Sequence, residues 1–135
     1  MPFRTITLVA LAGLGLVSSG RLAFFQWSTG EACPVLGSVP ACYIAFLGYV
    51  LVSLGLGLVL SGHAGRGRGP FYAGLGVVGG LALFGSALEL LQGGVCPRAA
   101  GVPLCFVSLG MSVALLLLFR SSVKASVGRP GRDVQ

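Results

Sequence analysis

Cysteine is the residue type in this chain with the most chemistry to offer, and its four copies are confined to two decapeptides, Cys33-Pro34-Val35-Leu36-Gly37-Ser38-Val39-Pro40-Ala41-Cys42 and Cys96-Pro97-Arg98-Ala99-Ala100-Gly101-Val102-Pro103-Leu104-Cys105. The second follows the first by 63 positions without a gap and matches it at both cysteines, both prolines and one valine. An even number of thiols on the oxidising side of a membrane normally forms disulfides, and four cysteines admit three pairings. Pairing within each decapeptide, Cys33 with Cys42 and Cys96 with Cys105, closes two rings of ten residues. The chain-entropy model gives each ring about 3 kcal/mol. A proline beside the first cysteine and another two residues before the second stiffen each ring and lower the entropy lost on closure. The repeat duplicates a whole cysteine-bracketed loop, so this is the expected pairing, and its simplest role is to staple the outer end of a helix hairpin.

Other side chains offer less. The cysteines lack the short C-x(2-4)-C spacings of a structural zinc site, so no metal is expected, and covalent haem attachment would need C-x-x-C-H. The one histidine, His63, is far in sequence from every cysteine and falls on the opposite side of the membrane, which rules out a thiol-imidazole nucleophile within one subunit. Gly65-Arg66-Gly67-Arg68-Gly69 lacks the Lys-Ser/Thr ending and the preceding strand of a phosphate loop and reads as a flexible basic turn. Arg21 and Glu89 fall in the outward turns of two apolar runs. Their similar depth allows an ion pair between them; the competing readings are snorkelling to the headgroups or lining a site beneath the cysteine loops. Glu31 and Arg98, in the loops, are read as solvated.

The elements that must position these residues follow from composition. With 55% hydrophobic and 9% charged residues and a mean hydropathy of +0.95, the chain is far too apolar for a soluble domain, in which about a quarter of residues are charged. Four uninterrupted apolar runs, about 5–27, 41–62, 71–92 and 102–119, each approach the ~20 residues with which a helix crosses the hydrocarbon core. A barrel would require many alternating strands, and none can be drawn. The expected fold is therefore an all-α membrane bundle of four transmembrane helices, built as two parallel helix-loop-helix repeats related by a pseudo-two-fold axis along the membrane normal. Repeat 1 spans 1–62 with its cysteine loop at 28–41, and repeat 2 spans 71–119 with its loop at 93–105. A loop at 63–70 joins them, and a disordered basic tail at 120–135 follows.

Sidedness comes from the basic residues. Arg4, Arg66, Arg68, Arg120, Lys124, Arg129 and Arg132 lie on one side of the four spans, against Arg21 and Arg98 on the other. The positive-inside rule then places both termini and the 63–70 loop in the cytoplasm and both cysteine loops in the periplasm, extracellular space or a lumen. The net charge of +6 reflects this asymmetry and implies no nucleic-acid partner. A cleavable signal peptide competes for the first span, since Arg4, the apolar stretch from Ile6 to Val17 and Ser18-Ser19-Gly20 fit one. The repeat favours retention, because it gives the first span the place of the third.

Glycines populate the runs, and Gly76 with Gly80 forms a G-x-x-x-G of the kind that lets helix backbones approach closely. Helix packing is the first reading of these glycines; the alternative is a cavity opened for a flat ligand. Trp27 and Tyr43 are expected in the outer interfacial belt, and Phe71, Tyr72 and Phe119 in the inner one.

Four spans with both termini in the cytoplasm and two outward cysteine pairs resemble the disulfide-generating membrane oxidoreductases of the DsbB type. The first loop, with eight residues between Cys33 and Cys42, is also similar to the loop pair of the vitamin K epoxide reductase group. The resemblance covers topology and cysteine number over most of the chain; the C-x-x-C that both families carry at a helix end has no counterpart here. It implies a relay in which Cys33, Cys42, Cys96 and Cys105 pass electrons from a partner's thiols to a quinone held among the helices. The leading expectation from the residues themselves is non-enzymatic: a small membrane subunit or assembly factor, without a cofactor, whose stapled loops face a membrane-protein partner or a second copy of the chain. A thiol-quinone oxidoreductase is the alternative. A small transporter comes third, disfavoured because no ionisable residue lies near the midplane of the spans.

Overall fold

The computed structural model describes residues 3–127 apart from 32, 95 and 97; the 128–135 part of the expected disordered tail lies outside them. Four helices, α1 (Phe3–Thr29), α2 (Ala41–Leu60), α3 (Ala64–Gln92) and α4 (Leu104–Val127), are long and apolar enough to cross a bilayer. This all-α arrangement fits a small multi-pass membrane protein. Between α1 and α2 lies an antiparallel hairpin of β1 (Val35–Leu36) and β2 (Val39–Pro40), and between α3 and α4 a second, of β3 (Arg98–Ala99) and β4 (Val102–Pro103). Helix, hairpin, helix thus occurs twice.

The duplication reaches into the core. The buried positions of α1 are Leu8, Ala12, Gly15, Ser19, Ala23 and Gln26, and the positions 63 residues later, Phe71, Leu75, Val78, Ala82, Ser86 and Glu89, are all buried on α3. The same offset carries Tyr49, Val52 and Leu56 of α2 onto Ser112, Leu115 and Phe119 of α4, again all buried. The inward stripes of the two repeats share one register, which is the structural content of the repeat.

Three expectations are corrected at the end of the bundle away from the hairpins. The loop expected over 63–70 shrinks to a tight turn at 61–63, because Gly62 (φ +88°) ends α2 with a pair of bonds, Gly62 N–H to the Val59 carbonyl and His63 N–H to the Leu58 carbonyl, in the manner of a Schellman cap. Helix α3 then starts at Ala64 and runs through the glycine-arginine stretch read as a flexible turn. Tertiary packing overrides the poor helix propensity of glycine here, since Gly67 is buried against α2. At the other terminus α4 continues to Val127, so 120–127 is helical where a disordered tail was expected. The inner belt is corrected too: Phe71 and Phe119 are fully buried and stack with ring centroids 3.8 Å apart, with Tyr72 edge-on to both.

Glycine does close a helix interface, at positions other than the G-x-x-x-G. Gly76 and Gly80 face open space. The seam is made instead by Gly48 and Gly55 of α2 against Gly74 and Gly67 of α3, each pair two turns apart on its helix. A methyl group on Gly55 would fall 2.5 Å from the Phe71 nitrogen and 2.7 Å from the Gly67 carbonyl oxygen, and one on Gly67 would fall 2.5 Å from the Gly55 oxygen. Backbone meets backbone here, which locks α2 to α3.

Candidate functional site

Each hairpin is built by three constraints on a short segment. Cys33 is bonded to Cys42 and Cys96 to Cys105, in both cases with Cα atoms 6.1 Å apart. Two antiparallel residue pairs form inside each ring, Val35 with Pro40 and Leu36 with Val39, then Arg98 with Pro103 and Ala99 with Val102. The prolines occupy strand ends, where the missing N–H costs no ladder bond. Sequence reasoning missed these hairpins; Gly37-Ser38 between the apolar pairs Val35-Leu36 and Val39-Pro40 is a two-residue-turn dipeptide that signals the first, whereas Ala100-Gly101 after Arg98-Ala99 keeps only the second-position glycine of such a turn. The glycine has moved by one position between copies, and the turn changes with it. Gly37 (φ +68°) precedes an ordinary Ser38, as in a II′ turn, whereas Ala100 (φ +52°) and Gly101 (φ +81°) are both left-handed, as in a I′ turn.

The third constraint comes from the helix ahead of each hairpin, and it too is duplicated. Glycine with positive φ ends α1 at Gly30 and α3 at Gly93, and one turn before each a buried polar side chain reaches forward. The Gln26 Oε1 accepts a hydrogen bond from the Cys33 N–H at 2.8 Å while its Nε2 donates to the Gly30 carbonyl at 3.0 Å. Sixty-three positions on, Glu89 Oε2 accepts from the Cys96 N–H at 3.0 Å. Its other oxygen, Oε1, pairs with the Arg98 guanidinium at 3.0 Å. The possible Arg21–Glu89 pair gives way to Arg98–Glu89, and Arg98 is not simply solvated; Arg21 lies exposed on α1. The short reach within one loop wins because Arg98 is on the strand that follows Cys96, whereas Arg21 sits on a different helix. Gln26 was not singled out from the sequence, yet its alignment with Glu89 at the repeat offset was there to be seen.

Beneath the hairpins, all four helices line an open-sided cavity of about 380 Å³. Cys33, Cys42, Cys96 and Cys105 all line it, together with Gly15, Ser18 and Ser19 of α1, Ala45 and Tyr49 of α2, Ala82 and Gly85 of α3, and Ser108 and Met111 of α4. No ionisable side chain is among its lining residues apart from the Tyr49 phenol. Tyr49 sits at its lower end with the ring over Gly15, where a methyl group would fall 2.6 Å from the Tyr49 Cζ. Gly85 makes the notch that seats the second disulfide: a methyl there would lie 2.9 Å from the Cys105 sulfur and 3.5 Å from that of Cys96. The matching position in the first repeat is Leu22. Beyond the cavity, among the described residues, the Ser86 hydroxyl is buried one turn below Glu89 without a hydrogen-bond partner.

The arrangement can do two things chemically. It presents two cross-linked hairpins in which Val35, Leu36, Val39 and Val102 are exposed, Val35 and Leu36 also lining the cavity, and it brings both disulfides to that one apolar chamber. Among the described residues no group of histidine, cysteine and carboxylate side chains is placed to hold a metal ion. No protein-family model, no curated protein and no solved structure matches this chain.

Proposed function

We propose that this chain is a non-catalytic subunit or assembly factor of a membrane complex, in which the two stapled hairpins form a preorganised platform for a membrane-protein partner. The observation that carries this reading is the triple pinning of each hairpin, by disulfide, by strand pairing and by Gln26 or Glu89, with Val35, Leu36, Val39 and Val102 exposed on the strands. A loop already ordered in its binding shape loses little conformational entropy on docking. The basic residues on the opposite side of the spans support an orientation with the hairpins outside the cytoplasm, where disulfides persist.

A second reading, a thiol-quinone oxidoreductase, is favoured by one observation: all four half-cystines line the same cavity. Alkylation trapping in intact cells separates the two. The platform reading expects both pairs fully oxidised at steady state, and expects Cys33→Ser/Cys42→Ser to lower the amount of folded protein. A mixed or shifting redox population, or mixed disulfides with a soluble protein, would overturn it in favour of the oxidoreductase.

A further inference from the structure

We propose that the cavity beneath the hairpins binds one uncharged lipid alcohol, an apolar chain ending in a hydroxyl group that engages Tyr49. This goes beyond the platform reading and does not depend on whether the disulfides turn over.

Volume comes first. At about 380 Å³ and open on one side, the chamber lies in the range of small-molecule sites and can take the hydroxyl-bearing end of a longer chain. Walls of leucine, valine, alanine and disulfide sulfur offer water few partners, so hydrocarbon is the natural filling. With no charged side chain in the lining, a phosphate or ammonium headgroup would be stripped of water without compensation.

Polarity then selects the end group. Tyr49 is 5% exposed and lines the cavity, yet among the described residues no group hydrogen-bonds to its phenol. Buried tyrosines normally find a partner, and the Tyr49 phenol oxygen, unlike the sealed Ser86 hydroxyl, remains accessible to one from the cavity. The equivalent residue of the other repeat, Ser112, satisfies its hydroxyl on the Ser108 carbonyl at 2.8 Å. Tyr49 is the one that departs, and it departs on the cavity wall. Across the chamber the Ser19 hydroxyl donates to the Gly15 carbonyl at 2.7 Å, and Ser18 donates to Leu14. Both oxygens keep lone pairs that can accept. A ligand hydroxyl matches this set, accepting from Tyr49 and donating to a serine, where a carbonyl would leave the serines unused.

Depth separates free lipid alcohols from bulk phospholipid. Tyr49 is eight residues into α2, about 12 Å below the start of that helix. A phospholipid could bring an oxygen so deep only by dragging its charged headgroup into the uncharged chamber. Diacylglycerol and polyprenol both carry the required hydroxyl, and the experiment tells them apart.

The full-length protein is reconstituted in phosphatidylcholine nanodiscs with a diazirine-labelled diacylglycerol, a diazirine-labelled polyprenol or a diazirine-labelled phosphatidylcholine, and crosslinked peptides are mapped by mass spectrometry. Labelling of cavity-lining peptides by one or both alcohols, competed by the unlabelled compound and absent with labelled phosphatidylcholine, is the expected result, and the alcohol that labels identifies the source. Tyr49→Phe should reduce that labelling about fivefold, the equivalent of one hydrogen bond, without altering thermal unfolding, and Ser108→Leu should block it by filling the space. Equal labelling by phosphatidylcholine, no labelling of the cavity, or wild-type labelling of Tyr49→Phe would each overturn the proposal. If Tyr49→Phe fails to fold, selectivity between the alcohols and phosphatidylcholine on the wild-type protein decides it alone.

Discussion

In the first repeat the helix ahead of the hairpin offers a neutral amide, Gln26, to the Cys33 N–H; in the second the same position offers a carboxylate, Glu89, which holds the Cys96 N–H and Arg98 together. Farther down, Gly48, Tyr49 and Gly55 of the first repeat stand where Met111, Ser112 and Leu118 stand in the second. The two copies have kept one burial register and exchanged the residues that decide how closely helices approach. Glycine draws α2 onto α3, whereas the bulky side chains at the matching positions of α4 cannot make such a seam with α1. A duplicated fold thus becomes an asymmetric bundle with an apolar chamber at its hairpin end.

The glycine seam is the sharpest place to break this comparison. Gly55→Leu, which installs the residue of the second repeat, would drive a side chain into the backbone of Gly67 and Phe71; a loss of more than about 3 kcal/mol is expected, at the upper end of overpacking effects. Gly76→Leu, in open space, should leave reversible unfolding in micelles near that of the wild type. Equal losses for both would remove the distinction between seam and exposed face.

Smaller effects attend the acceptors under the hairpins. Glu89→Ala leaves the buried Cys96 N–H unpaired and should cost about 1–3 kcal/mol, against about 1 kcal/mol for Gln26→Ala. Glu89→Gln is expected to recover most of the loss, because the Arg98 side chain is 57% exposed and such a pair is largely screened. A Glu89→Gln protein as unstable as Glu89→Ala would show instead that the ion pair, and not the shared N–H bond, holds the second hairpin. The same unfolding measurement reads both.

The smallest change tests the turns. Ala100 holds φ at +52°, a conformation that costs a residue with a Cβ roughly 1 kcal/mol. Ala100→Gly should stabilise the protein by about 0.5 kcal/mol once the added flexibility of the unfolded chain is subtracted. Ser38→Gly, at a position without positive φ, should give no gain. A gain from Ser38→Gly equal to that from Ala100→Gly would mean that the two turns do not differ as described.

Four apolar runs, two cysteine decapeptides and their 63-residue offset were legible in the chain itself. Hydrophobic burial acts on composition over a length of some twenty residues, and a duplicated pattern carries its register with it. The partner of Glu89, the identity of the packing glycines, the helical course of 64–70 and the stacking of Phe71 on Phe119 were decided by the tertiary structure. Each depends on which faces of two helices meet, and a glycine reads the same in sequence whether it touches a neighbouring backbone, as Gly55 does, or faces open space, as Gly76 does.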